Sequence, residues 1–183
     1  MDINHKSSKS ERGQSLTELA LSMVLMLILL AGVADLGRAF FTYVALRDAA
    51  QEGALYGSFA FGELQNPNPI TLFPPGVVCG KINTRVIQNS DGPVNPVNLA
   101  TDANVTIEIG QGISTTVWTT CSSTMTIQPC AKDQIRVTVT HKGFTLATPF
   151  LGTLIGTQTI PISASVKDTI LTPTNDLASS CPS

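Results

Sequence analysis

Charge is scarce in this chain: only 13% of its 183 residues are Asp, Glu, Lys or Arg, about half the share of an ordinary soluble domain. The formal net charge is −2, so no basic field exists to hold nucleic acid. Aromatic residues make up 5%, with a single tryptophan. There are two histidines, His5 and His141, and four cysteines, none of them in a CxxC pair. Zinc-ligand spacing is therefore missing. So are GxSxG, the P-loop, HExxH and GxGxxG, the short motifs that would announce a nucleophile, a phosphate cradle or a catalytic metal. Asp133 and Asp168 read as isolated, solvated acids near strand ends, and His141 as a solvent-facing residue at the end of a strand. These absences exclude the common enzyme classes. Neither a cofactor nor a small-molecule substrate is called for.

What is present is strongly ordered along the chain. Residues 1–13 are polar, rich in Ser and Lys, and carry a net +1 from Lys6, Lys9 and Arg12 against Asp2 and Glu11. Such a segment has no apolar surface to bury and is expected to be a disordered leader. Residues 19–34 (LALSMVLMLILLAGVA) then run without a charge. Sixteen helical residues span about 24 Å, short of the roughly 30 Å hydrocarbon core. Extending the span to residues 16–36 supplies the missing length and puts Glu18 and Asp35 at opposite membrane edges. The cations before the span hold the N-terminus in the cytoplasm and send the remainder across.

Helical character continues past the membrane. Residues 35–61 contain no proline, and Leu36, Phe40, Tyr43 and Val44 recur at helical spacing. A second stripe is small: Ala45, Ala49, Gly53 and Gly57, each four apart. Glycine costs about 1 kcal/mol in a helix interior, so this stripe makes sense where another element packs closely; otherwise it only frays the helix end. One long helix over residues 14–61 follows. Proline-rich breakers (66–69 and 73–76) separate it from an outer domain of residues 62–183.

In that outer domain, residues 77–88 are ambiguous and open to a short helix, and residues 89–98 are turn-rich. From residue 104 the pattern has period two: Val105, Ile107 and Ile109; Ile135, Val137 and Val139; Ile160, Ile162, Ala164 and Val166. Residues 115–120 around Trp118 form a weaker fourth strand. Such alternation means a sheet with one face buried and one wet. Eighteen threonines between Thr101 and Thr174 favour the same structure. Residues 144–155 are apolar and broken by Pro149, a short helix or a loop over the sheet edge. The fold class is α+β: a long N-terminal helix, membrane-spanning then amphipathic, followed by a small antiparallel sheet packed beside its second half. In an oxidising compartment the even cysteine count suggests disulfides. A turn through Pro129 would join Cys121 to Cys130 and leave Cys79 for Cys181; the alternative is free, partly buried thiols.

The run Arg12-Gly13-Gln14-Ser15-Leu16-Thr17-Glu18 carries the chemistry. A carboxylate on a membrane helix costs about 2.5–3.5 kcal/mol at the centre and less at an edge. Cleavage between Gly13 and Gln14 would create an α-amine with a reference pKa near 8, one turn from Glu18 or within reach of a neighbouring chain's Glu18. The simpler reading is an interfacial acid reaching the headgroups. From the residues alone both stay open.

Residues 12–57, from RGQSLTELALSM through VADLGRAFFTYVALRDAAQEGALYG, closely resemble the N-terminal region of TadE-like proteins, the pseudopilins or minor pilins of tight-adherence pilus systems. The resemblance implies cleavage after Gly13 by a prepilin peptidase and use of Glu18 in subunit assembly. It implies as partners the major pilin, other TadE-like or TadG-like subunits and the inner-membrane assembly platform. The chain would be single-pass in the cytoplasmic membrane, its C-terminal domain extracytoplasmic, with entry into a surface pilus, and would support pilus assembly, adhesion or secretion. The outer domain is longer and richer in cysteine and threonine than a minimal member. Two other readings stand beside this one. Gly32-Val33-Ala34 offers the small residues a conventional signal peptidase prefers, and a cut after Ala34 would free a secreted β binding module. A pseudopilin of a related secretion system would share the helix logic with different partners.

Overall fold

The computed structural model describes residues 11–63, 75–88, 98–112, 116–125, 129–148, 152–153 and 155–171. The proline-rich breakers before Pro75, most of the turn-rich stretch before Asn98, the leader before Glu11 and the tail with Cys181 lie outside them. Two compact units are present. The first is Met1–Arg38 with Leu146–Gln158; the second is Ala39–Thr145 with Thr159–Ser183.

Helix α1 (Glu11–Glu63) contributes to both units. It begins three residues before the expected start, so Glu11, Arg12 and Gly13 are helical. No proline interrupts α1 before its end, and leucine and methionine through residues 19–30 are good helix formers. Over residues 13–30 every side chain is exposed; Leu21 is 76% and Leu30 67% accessible. One helix among the described residues is long and apolar enough to cross a membrane, and it lies within Gly13–Phe61.

In the second unit the α1 surface changes. Leu46, Ala49, Ala50, Ala54 and Phe61 are buried, at the three- and four-residue spacing that defines one helix face. Helix α2 (Pro75–Gln88) settles the ambiguity over residues 77–88. Pro75 opens it, where a missing N–H costs nothing, and Val78, Cys79, Ile82 and Val86 line its buried side. A single turn, α3 (Leu99–Asp102), follows; Asn98 caps it by accepting the Ala100 N–H at 3.1 Å.

The sheet has four strands: β1 (Ala103–Gly110), β2 (Trp118–Thr120), β3 (Gln134–Thr145) and β4 (Thr159–Thr169). All neighbours are antiparallel, in the order β2-β1-β3-β4. Ile107 faces Val137, and Val137 faces Val166, so the period-two residues fall on one face. Ile107, Ile135, Val137 and Val139 are almost completely buried there and pack with Ile82, Val86 and Leu46. The opposite face carries Arg136, paired with Glu108 at 2.7 Å, and hydroxyl pairs such as Thr138 with Ser165. Arg136 also lies 4.2 Å from the Trp118 ring centroid, a cation–π contact.

β3 is longer than its alternation indicates. Phe144 and Thr145, expected in the connector, are its last residues, and a bulge between His141 and Phe144 resets the register. His141 is thus inside the strand, not at its end, and is half-buried. Its Nδ1 accepts the Gly143 N–H at 3.1 Å, a donor the bulge has freed from the ladder. A helical turn follows Thr148: the Gly156 N–H donates to the Gly152 carbonyl at 2.9 Å.

The cysteine pairing differs from the expected one. Cys79 is bonded to Cys121, with a Cα–Cα distance of 5.6 Å; Cys130 is also disulfide-bonded. The sheet order is the reason. Cys121 continues β2, donating its N–H to the Ile107 carbonyl at 2.8 Å, while Cys130 precedes β3. With β1 between β2 and β3, the two chains are two strand spacings apart, about 9.6 Å, beyond a disulfide's reach. Cys79 is instead presented by the α2 face that lies over β1.

Candidate functional site

The sequence motif maps to the N-terminal turns of α1. Gly13, Gln14 and Glu18 are helical and exposed, and among the described residues no neighbouring heavy atom would meet a Cβ built on Gly13. Thr17 donates its hydroxyl to the Gln14 carbonyl at 2.8 Å. Gln14 and Glu18 are four apart on a helix, hence on one face and one turn from each other. Among the described residues Glu18 has no ion-pair partner within the chain.

The small stripe lies in the second unit and is occupied from within the chain. Ala49, Gly53 and Gly57 are buried and Ala45 is half-buried. A Cβ on Gly53 would land on Val86 Cγ2, and one on Gly57 on Ile135 Cδ1. What approaches the stripe is therefore α2 and β3. These contacts belong to the second unit's core.

Four residues matter more than their sequence context suggested. Asp35 is only 3% exposed. Its carboxylate accepts the Ala147 N–H at 3.0 Å, the Thr148 N–H at 2.9 Å and the Thr148 hydroxyl at 2.6 Å. Arg38 adds an ion pair at 3.3 Å. The clue was an acid directly after sixteen uncharged residues; its partners more than a hundred positions away carried no local clue. Asp133, expected to be solvated, is 8% exposed. It accepts the Cys130 N–H at 2.7 Å and the Gly112 N–H at 2.8 Å, so it ties the β1–β2 connection to the turn before β3. Asp168 is half-buried and accepts the adjacent Thr169 N–H at 2.8 Å. Gly76 is buried, and a Cβ there would strike the Ser123 backbone carbonyl. Only glycine lets α2 start that close to the chain after Cys121.

Beside the Cys79–Cys121 bond lies a groove of about 340 Å³, lined by Cys79, Gly80, Asn83, Thr106, Thr120 and their neighbours. Among the described residues no charged residue and no histidine lines it.

The N-terminal helix thus joins an exposed apolar half, headed by a small residue and an acid with no ion-pair partner among the described residues, to a half that forms a domain core. Residues 13–55 match the family model described as TadE-like protein. This stretch of the chain is TadE-like. It is under a quarter of the 183 residues, and it covers the α1 turns that carry Gly13, Gln14 and Glu18 as well as the start of the small stripe. No curated protein and no solved structure matches the chain. A TadE-like helix with an apolar N-terminal half fits a pilus-associated, membrane-anchored protein of structural, pilin-type character.

Proposed function

We propose that this TadE-like chain is a pseudopilin or minor pilin. A prepilin peptidase cuts it between Gly13 and Gln14 at the cytoplasmic face, and the apolar half of α1 anchors it in the inner membrane. The outer domain then faces away from the cytoplasm. One observation carries the reading: within the TadE-like match, Glu18 heads the apolar run with no ion-pair partner among the described residues, one turn from the residue whose amine cleavage would expose. A cationic Gln14 amine supplies the missing charge, in the same chain or between neighbours. Assembly would then bury both charges together, since leaving either one alone in a low-dielectric setting is expensive. The partners are the peptidase, the major pilin, other TadE-like or TadG-like subunits and the inner-membrane platform. The role is to join, prime or tip a fibre and so support attachment or export.

The test is the intact mass and N-terminal sequence of the protein extracted from its native membrane. A chain starting at Gln14 supports the proposal. A start at Asp35 supports the secreted module, and a start at Met1 a plain anchor; either refutes processing at Gly13. Gly13→Asp should block maturation, and an unchanged mature mass in that variant would remove the cleavage assignment.

A further inference from the structure

The groove beside the Cys79–Cys121 bond lies where the sheet stops short. β2 pairs with β1 only at Glu108, Ile109 and Gly110, and Cys121 adds one N–H to the Ile107 carbonyl. The chain then turns out of the sheet. The Met125 N–H donates to the Ser122 carbonyl at 3.0 Å, and the Ser123 carbonyl lies against the start of α2 at Gly76. Backbone groups on one edge of a strand recur every second residue. Val105, two before Ile107, therefore points its N–H and C=O to the same side as the Ile107 carbonyl, into the space β2 has left. Among the described residues no strand takes them up. Val105, Thr106 and Ile107 line the groove from β1, and Cys79, Gly80 and Asn83 line it from α2. Cys121 stands where β2 ends.

The two sulfurs of the bond are not equivalent. Cys79 is 3% exposed, on the buried side of α2, with Met125 Sδ 4.0 Å from its sulfur. Cys121 is only half-buried. An incoming thiol or disulfide therefore meets Cys121 first, and access decides which sulfur exchanges. An extended segment laid along Val105, in line with β2, would hydrogen-bond to that open edge as an added strand. Its residue two positions beyond Cys121 would lie about 6.8 Å away, Cα to Cα, at the limit of what a disulfide spans. With no charge along the described lining, backbone pairing and shape, not ion pairs, would hold such a segment.

We infer that this groove is the docking site of a thioredoxin-fold oxidoreductase carrying a CxxC disulfide, and that Cys121 is the sulfur through which it makes the Cys79–Cys121 bond. The Cys121 thiolate attacks one sulfur of the partner's disulfide, and the partner's other sulfur leaves as a thiolate. Cys79, whose Cα lies 5.6 Å from that of Cys121, then attacks Cys121 Sγ in the mixed disulfide. The Cys79–Cys121 bond forms and the partner's first sulfur leaves. Two electrons pass from the chain's two thiols to the partner's disulfide, and both thiol protons end on the partner's dithiol. The same steps in reverse, from a dithiol partner, open the bond. The site belongs to the second unit and does not depend on trimming at Gly13, so it goes beyond the pilin-type reading.

The probe is a thioredoxin-fold protein with its CxxC changed to CxxS and the remaining cysteine charged as a thionitrobenzoate mixed disulfide. Each attack by a thiol of the chain releases the coloured anion. The full chain is held in detergent micelles as Cys79→Ser, which leaves Cys121 as the thiol, and as Cys121→Ser, which leaves Cys79. The Cys79→Ser chain should react at least about tenfold faster. Equal rates, or the reverse order, overturn the assignment to Cys121. Gly80→Phe, at an exposed groove position where an added Cβ meets nothing within 4 Å, is then placed in the Cys79→Ser chain. It should slow the charged carrier at least about fivefold and leave the rate with the small reagent dithiobis(nitrobenzoate) within about twofold. If both probes slow alike, or neither slows, the groove is not the docking site. A second measurement keeps the native bond. The oxidised, unaltered chain is mixed with the uncharged CxxS protein, quenched with acid, alkylated and mapped by mass. The carrier should be found on Cys121, with Cys79 alkylated. A carrier on Cys79 or Cys130, or no adduct in the time that suffices for the same chain unfolded in urea, refutes the exchange site.

Discussion

Gly53→Ala isolates the physics of the small stripe. Adding a methyl group to a helical glycine has two opposed effects. It raises helix propensity by about 1 kcal/mol, and at a packed site it forces neighbours apart at about 1–3 kcal/mol. At Gly53 the new Cβ would land on Val86 Cγ2, with Val137 Cγ1 at 3.4 Å and Ile82 Cγ2 at 3.6 Å. Val86 and Val137 are fully buried, and a valine methyl cannot swing aside without changing its single stiff χ1. Sterics should therefore equal or exceed the propensity gain, for a net cost of about 0–2 kcal/mol. Gly80→Ala in α2 is the matched control: Gly80 is helical and exposed, with nothing within 4 Å of the added carbon. It should gain about 1 kcal/mol. The two variants should differ by about 1–3 kcal/mol, which for a unit of this size is a separation of about 4–12 °C in Tm. Trp118 sits in β2 of the same unit, so its emission during a thermal ramp of the detergent-solubilised chain reads the transition. Gly57→Ala should fall between them, because the atoms it meets, Ile135 Cδ1 and Ile82 Cδ1, are the far ends of flexible side chains. Gly76→Ala should be worse than all three, because backbone cannot yield as a side chain can. If Gly53→Ala raised Tm in step with Gly80→Ala, the seam between α1, α2 and β3 would have slack, and the packing reason for glycine there would be wrong.

Three further outcomes are expected. The Cys79–Cys121 bond closes a loop across 42 positions, so the double serine variant should lose about 4 kcal/mol on the chain-entropy model; a denaturant midpoint unchanged from the parent would show that the bond contributes nothing to the fold. Asp133→Ala strands the Cys130 and Gly112 N–H groups and should cost about 2–3 kcal/mol, read as a lower denaturant midpoint, whereas a solvated acid would cost almost nothing. Glu18→Ala should still be trimmed to Gln14 but enter fibres poorly; normal incorporation, measured by immunoblot of sheared fibres, would remove the charge-pairing argument.

The division between what could be read and what could not is physical. The extent of α1 rests on sixteen uncharged residues and a proline-free continuation, and the strands on strict alternation around Ile107, Val137 and Ala164. Periodicities of 3.6 and 2 are properties of the local backbone, so the sequence by itself determined the α+β class, the helix with its exposed apolar half and the polar outer face of the sheet. The disulfide partner of Cys121 could not be read, because it depended on β3 docking against β1 and so placing β1 between Cys121 and Cys130. The burial of Asp35 depended likewise on N–H groups 112 and 113 positions away, and that of Asp133 on the Gly112 N–H 21 positions away as well as the nearby Cys130. Nor could Gly53 and Gly57 be assigned their neighbours, since a stripe of small residues specifies a close approach and not what approaches. Tertiary structure decided each of these, because a carboxylate, a thiol or a bare Cα acquires its role only from the groups that folding brings within a few ångströms.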